Sequence, residues 1–166
     1  MSVYVVDSNF FIQAHRANYP LDVALSFWAK VRQLAHEGKI ISIDKVKDEL
    51  YNKNDDLEAW CRANLPEHFF KNTDEVMPAY SQVISWAVSK SIQYNSNALN
   101  EFLSADEADA FLIAYTLADN ANKILVTHEV SAPNSKNRIK IPDVCLGFNV
   151  RFLNTMDMLR QLGESF

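Results

Sequence analysis

Four carboxylates of this chain stand where an acid is unexpected. Asp7 ends the run Val3-Tyr4-Val5-Val6 and is followed by two small polar residues, Ser8 and Asn9. Strands buried on both faces read as unbroken apolar runs. In open α/β sheets, ligands bind just beyond the carboxyl ends of such strands. The run Ile124-Leu125-Val126 passes into Thr127-His128-Glu129 in the same way. Glu49 lies between Val46 and Leu50 on a helical stretch, and Asp109 lies in the otherwise apolar Ala108-Asp109-Ala110-Phe111-Leu112-Ile113-Ala114. Asp106, three residues before Asp109, shares its face on the helix that the spacing predicts. Carboxylates that converge in one cleft repel each other and need a cation. Oxygen donors without Cys or His pairs favour Mg²⁺ or Mn²⁺ over Zn²⁺. Sites of that kind cleave or transfer phosphodiesters by stabilising the attacking water and the leaving oxygen.

Each acid taken alone has an ordinary explanation. Asp7 can cap a turn, Glu49 can be a solvated helix residue, and Glu129 can simply open a loop. Asp106 and Glu107 suit the first turn of a helix, where the dipole favours acids. Asp109 is read as lying beyond that turn. His128 is more often a surface or hydrogen-bonded histidine than a ligand. The functional reading depends on convergence.

The elements that must bring them together follow from patterning. After the first strand comes a polar loop around His15 to Pro20, then a helix from about Asp22 to Glu37. Leu25, Trp28, Val31 and Leu34 or Ala35 form its apolar stripe, and Gly38 stops it. Lys39 to Ile43 is a short strand, and Asp44 N-caps the helix that carries Glu49. Asp55 to Leu65 is helical, and another helical segment opens at Thr73, with a stripe of Val83, Ile84, Ala87, Val88 and Ile92. Ser104 and Glu107 form a capping box ahead of a helix over Ala105 to Ala118. The strand Lys123 to Thr127 follows, and Arg138-Ile139-Lys140-Ile141 alternates like a half-buried strand. A helical piece near Val144 to Phe148, a brief strand over Val150 to Leu153 and a last helix capped by Thr155 complete the chain. Strands separated by helices imply an α/β fold with a mainly parallel sheet.

The chain has 166 residues, 48% of them hydrophobic, with few Gly and Pro and no internal repeat, which predicts one folded domain over residues 1–166. No stretch is long and apolar enough to span a membrane, and the expected location is cytoplasmic. Cys61 and Cys145 are far apart and read as buried thiols. A net charge of −5 argues against a broad electrostatic nucleic-acid binder. An enzyme of nucleic acid remains compatible, because a carboxylate cluster itself lowers the charge. The basic residues nearest the acids in sequence, Arg138 and Lys140 on one side and Lys45, Lys47 and Lys53 on the other, are candidates for phosphate contacts.

The segments V-V-D-S-N-F-F-I, V-K-D-E-L, A-D-A-F-L-I-A-Y-T-L-A and I-L-V-T-H-E resemble, in that order, the PIN-domain ribonucleases. The tail K-I-P-D-V-C-L-G-F-N-V-R-F-L-N-T-M-D-M-L-R-Q-L-G is similar to a toxin-type PIN-like subfamily of bacteria and archaea. The resemblance implies a three-layer α/β/α sandwich and Mg²⁺- or Mn²⁺-dependent endoribonuclease activity. It implies Asp7, Glu49, Asp109 and Glu129 as catalytic acids, with Asp7, Asp109 and Glu129 as metal ligands. Ser8, Asn9, Asp106 and Thr127 would support them. The family's reaction is in-line attack of an activated water on phosphorus, which leaves a 5′-phosphate and a 3′-hydroxyl. RNA is the implied substrate, and an antitoxin protein and a second copy of the chain are the implied partners. The chain departs from the family in carrying Glu129 where many relatives have Asp, and in a long helical insert from about Asp55 to Leu103.

Three other readings compete. A PIN-like fold that has lost activity would serve as a protein-interaction subunit, although all four acids are present. A phospho-acceptor receiver domain wants paired acids after the first strand, where this chain has Ser8 and Asn9. A D-x-D phosphatase is disfavoured because Asn9 takes the place of the second acid.

Overall fold

The computed structural model describes residues 2–166. Its centre is a five-stranded sheet in the order β3-β2-β1-β4-β5, parallel throughout. The strands are β1 (Val3–Val6), β2 (Ile40–Ile43), β3 (Phe70–Lys71), β4 (Lys123–Val126) and β5 (Phe152–Leu153). Among the described residues, nine α-helices flank it: α1 (Ser8–Gln13), α2 (Leu25–His36), α3 (Asp44–Leu50), α4 (Asp56–Asn64), α5 (Met77–Ser89), α6 (Ser96–Leu103), α7 (Ala108–Ala118), α8 (Ile141–Phe148) and α9 (Thr155–Leu162). The architecture is a three-layer α/β/α sandwich, as the family resemblance implied, and its parallel sheet is the one expected from the strand and helix alternation. No described helix is long and apolar enough to cross a membrane.

The three inner strands are apolar on both faces because helices cover both. Val5, Val6, Ile40, Ile43, Leu125 and Val126 are all buried. Tyr4 sits between the layers, and its hydroxyl donates to Gln161 on α9 at 2.9 Å. The helix α7 is buried along most of its length, from Ala110 to Ala114 and again at Thr116. That explains its apolar sequence. On α8 the backbone at Gly147 comes close to the Trp86 indole of α5. A Cβ at Gly147 would lie 2.7 Å from Trp86 Nε1, so any larger residue there requires the indole to move. The two cysteines are free and buried, as their spacing suggested, and burial pushes both thiols up to about 12.

The helix α2 presents Phe27, Trp28, Val31, Leu34 and Ala35 to the core. Leu25, assigned to that stripe from spacing, is exposed because it opens the helix, and Phe27 takes its place. Gly38 ends the helix with φ +72°, a conformation that costs glycine little. Trp28 is 3% exposed, packs edge-on against Trp60 and Phe27, and donates its indole N–H to the Tyr19 carbonyl at 2.7 Å. Trp28→Ala should therefore cost about 3–5 kcal/mol in urea-unfolding free energy. A loss below about 1 kcal/mol would mean that this face is not part of the cooperative core.

Several local expectations are corrected. Arg138 to Lys140 forms no strand; Ile139 is buried as a strand residue would be, but no neighbour pairs with its backbone and Ile141 opens α8. The S-x-x-E capping box is absent. The Glu107 N–H bonds the Ser104 carbonyl in a turn, and α7 begins at Ala108 with Glu107 as its N-cap residue. Asp106 thus precedes the helix and shares no helix face with Asp109, while Asp109 lies within the first turn rather than beyond it. The last helix is capped by the Asn154 side chain, which accepts the Asp157 N–H, not by Thr155. Asp44 opens α3 from inside, and its carboxylate instead holds Thr73 at the end of β3. Val88 and Ile92 are exposed, since α5 ends at Ser89 and the stripe ends with it. The stretch after Asp7 is helical: α1 runs into a π-helical turn over Ala14–Asn18.

Candidate functional site

The strand order fixes where a site can form. From β1 the chain steps outward to β2 and β3, then crosses back to place β4 on the other side of β1. The crossovers diverge between β1 and β4, and the crevice at their carboxyl ends is the switch point where α/β sheets bind ligands. Asp7 follows β1 and Thr127 follows β4, at adjacent registered positions, since Val6 pairs with Val126.

Asp7 is 4% exposed. Its Oδ1 accepts the Phe10 N–H at 2.9 Å and so caps α1. The capping role and a functional role coexist, because the second oxygen is left for other partners. Burial pushes the Asp7 carboxyl up to about 7 despite that N–H, and the charges of Glu129 and Glu49 add to the rise. The Thr127 hydroxyl opposes it by favouring the ionised form. Asp109, half-buried at the start of α7, is also pushed up to about 7, first by burial and then by Glu129, Asp7 and Glu49. Arg138 acts in the opposite direction on Asp109. Two elements distant in sequence therefore bring two acids within each other's field.

Glu49 lies on α3, half-buried, and its Oε2 accepts the Ser8 hydroxyl at 3.0 Å. Burial raises its pKa, and Glu107 adds to the rise while the Ser8 hydroxyl opposes it. The pair Ser8–Glu49 ties α3 to the residue after Asp7. Glu129 has both oxygens engaged. Oε1 accepts the Ile141 N–H at 2.9 Å, which caps α8, and Oε2 faces Arg138 Nη2 at 3.4 Å. Thr127 Oγ1 accepts the Glu129 N–H at 3.1 Å and fixes the turn between them.

The remaining candidates divide. Asn9 is exposed on α1 and does not join the acids. Asp106 is exposed and lines a cleft of about 240 Å³ with Lys45, Asp48 and Glu49. Lys45 stands over the Phe111 ring at 4.9 Å, and Lys47 over Tyr51 at 5.5 Å. Lys140 is half-buried at the N-cap of α8. Arg138 is spoken for by Glu129 and, at 3.9 Å, by Glu101. On the other side of Glu49 a cleft of about 280 Å³ is lined by His15, Arg16 and Lys53 together with Asp55. His15 and Arg16 escape sequence reasoning, because the π-helical turn that carries them reads as a loop. Glu107 reads in sequence as a helix-start acid only, although its charge acts on Glu49.

The donors fit a hard dication in kind, being oxygens that carry more negative charge than their surroundings compensate. They are not preassembled: among the described residues, no three His, Cys, Asp or Glu side chains form a group ready to hold a metal ion. Arg138 supplies a counter-charge at Glu129. His128, as expected for a lone histidine, is exposed and hydrogen-bonded, with Nε2 3.2 Å from Thr155 Oγ1.

No curated protein matches the chain. A family model does match, over residues 4–166, which is nearly the whole length and includes every acid discussed above. The chain belongs to the family described as a domain of unknown function, DUF4411.

Proposed function

We propose that this protein is a Mg²⁺- or Mn²⁺-dependent endoribonuclease of the PIN type. The observation that carries the reading is the pair Asp7 and Asp109, held at the switch point of the sheet with carboxyls pushed up to about 7 by burial and by neighbouring acids. An arrangement that makes two carboxylates costly is difficult to explain by stability and easy to explain by a cation.

Asp7 and Asp109 would hold the ion directly. Glu49, aimed by Ser8 and steadied by the Ala108 N–H, would complete the shell directly or through a water. Glu129 already serves Ile141 and Arg138, so it acts by its charge unless the ion displaces Arg138. When bound, such an ion supplies polarisation of the phosphodiester and a water that loses its proton near neutral pH. Thr127 orients the turn that places Glu129 beside Asp7.

Cleavage of a single-stranded RNA should require Mg²⁺ or Mn²⁺, stop in excess chelator and return when the ion is restored. The same ions should raise the melting temperature, since a ligand that binds only the folded site stabilises it. Undiminished cleavage in chelator would overturn the reading. The Arg138–Glu129 pair favours one alternative, a protein-interaction subunit whose acids are balanced by the chain's own cation. In that case neither ion would shift the melting temperature.

A further inference from the structure

A well-formed cavity lies beside the acids rather than among them. It has a volume of about 330 Å³, near the small end of the range for small-molecule sites, roughly 300–1,000 Å³. No Asp, Glu, Lys or Arg lines it, in contrast to the two clefts that flank Glu49. A neutral lining suits neither a phosphate nor a metal ion. It suits a neutral, partly apolar, hydrogen-bonding group.

We propose that this cavity takes an unstacked nucleobase of the RNA strand. The inference rests on the nuclease reading for the identity of the strand, and on the cavity for the base. Phe10, Phe27 and Tyr19 supply the aromatic wall. Tyr19 stacks on Phe27 with ring centres 4.2 Å apart and planes 6° from parallel. Phe10 and Phe27 are fully buried, so half-buried Tyr19, which Phe166 meets edge-on at 5.3 Å, is the ring left for a further planar partner. Single-stranded RNA is recognised in this manner, by stacking bases on aromatic rings and bonding their edges.

Three side chains offer those edges uncommitted atoms. Asn154 uses its Oδ1 to cap α9 and keeps its amide N–H groups. His128 uses Nε2 toward Thr155 and keeps Nδ1. The Asn18 amide bonds no protein group among the described residues and belongs to the π-helical turn, a local form often found at functional sites. Amides and imidazole together provide both donors and acceptors, as a nucleobase edge requires.

The cavity also shares chain with the acidic centre. Phe10 donates its N–H to Asp7, and His128 stands between Thr127 and Glu129. The cavity and Asp7 are thus built on the same two segments, so a strand held at Asp7 has the cavity as its neighbour.

The test uses Asp7→Asn protein in chelator, so that no strand is cut. Fluorescence anisotropy measures its affinity for short single-stranded RNAs that carry one abasic site at each position in turn. One position should lose about tenfold in affinity when its base is removed, the scale of a stacked base. Met156→Trp, at an exposed residue lining the cavity, should abolish that position-specific loss, and Asn18→Trp, at a second lining residue, should do the same. An abasic profile unchanged in both variants would overturn the cavity assignment, as would failure to bind any strand. A lost profile in protein whose wild-type form never cleaves would uphold the base site and overturn only the nuclease reading.

Discussion

Asp7→Asn should reduce RNA cleavage by on the order of a thousandfold or more, the scale seen when one member of a catalytic constellation is removed. Asn keeps an oxygen that accepts the Phe10 N–H, so the cap of α1 survives and only the charge is lost. Asp109→Asn should behave alike, since Asp109 lies in the first turn of α7, where an amide is tolerated. The two losses should be far from additive, because both acids would serve one ion. Purified Asn variants that cleave at the wild-type rate would remove these residues from the chemistry. Ser8→Ala offers a graded companion. It loosens Glu49, which keeps the Ala108 N–H, without changing any charge, so a partial loss of rate is expected, with the metal requirement intact.

The second large effect is on stability. Asp7 and Asp109 titrate at about 7 in the folded chain, against about 4 in an unfolded one. The folded state thus holds protons that the unfolded state has released. Their contribution is fully present below about pH 4 and is lost as pH rises through about 7. Without divalent ions, the wild-type protein should lose several kcal/mol of unfolding free energy between about pH 5 and pH 8 from this source. Each bound proton that folding retains is worth about 1.4 kcal/mol for every pH step of one. Coupling between the two acids makes the sum smaller than two independent titrations would give. Either Asn variant should flatten the profile and exceed the wild type in stability at about pH 8, with the advantage shrinking when Mg²⁺ is added. Urea midpoints at the two pH values decide it. A wild-type profile flat across this range would show that the acids are not destabilising in the folded chain.

The residues legible from sequence are those whose environment is set by nearest neighbours. Asp7 stands out because a both-faces-buried strand stops at it, and the register of Val6 with Val126 fulfils that expectation. Trp28, Val31 and Leu34 follow from helical spacing alone. What stays hidden depends on backbone choices that several patterns can satisfy. The Ser104–Glu107 spacing fits a capping box and fits equally the turn in which the Glu107 N–H meets the Ser104 carbonyl. The turn delays α7 by three residues and moves Asp109 into the first turn. β3 is two residues long, too short for any period to show. The alternation at Arg138 to Ile141 reflects burial of Ile139 beneath a loop, and nothing local announces that Arg138 pairs with Glu129 and Glu101. The cavity near Tyr19 is built from separate stretches of chain, so its neutrality cannot be read from any one of them.

The position of β4 has a consequence for synthesis of the protein on the ribosome. It forms late in the chain, yet it is an interior strand of the sheet, between β1 and β5. Pairings this remote in sequence form slowly, because a long loop must close before they are rewarded. Until Lys123–Val126 and the residues after it have emerged, β1 has one open edge and Asp7 has neither Thr127 nor Glu129 beside it. A nascent chain can carry Asp7, Glu49 and Asp109 and still lack the crevice. The acidic centre is therefore completed only when most of the polypeptide has been made, and a truncated product would expose a bare strand edge in place of the assembled acids.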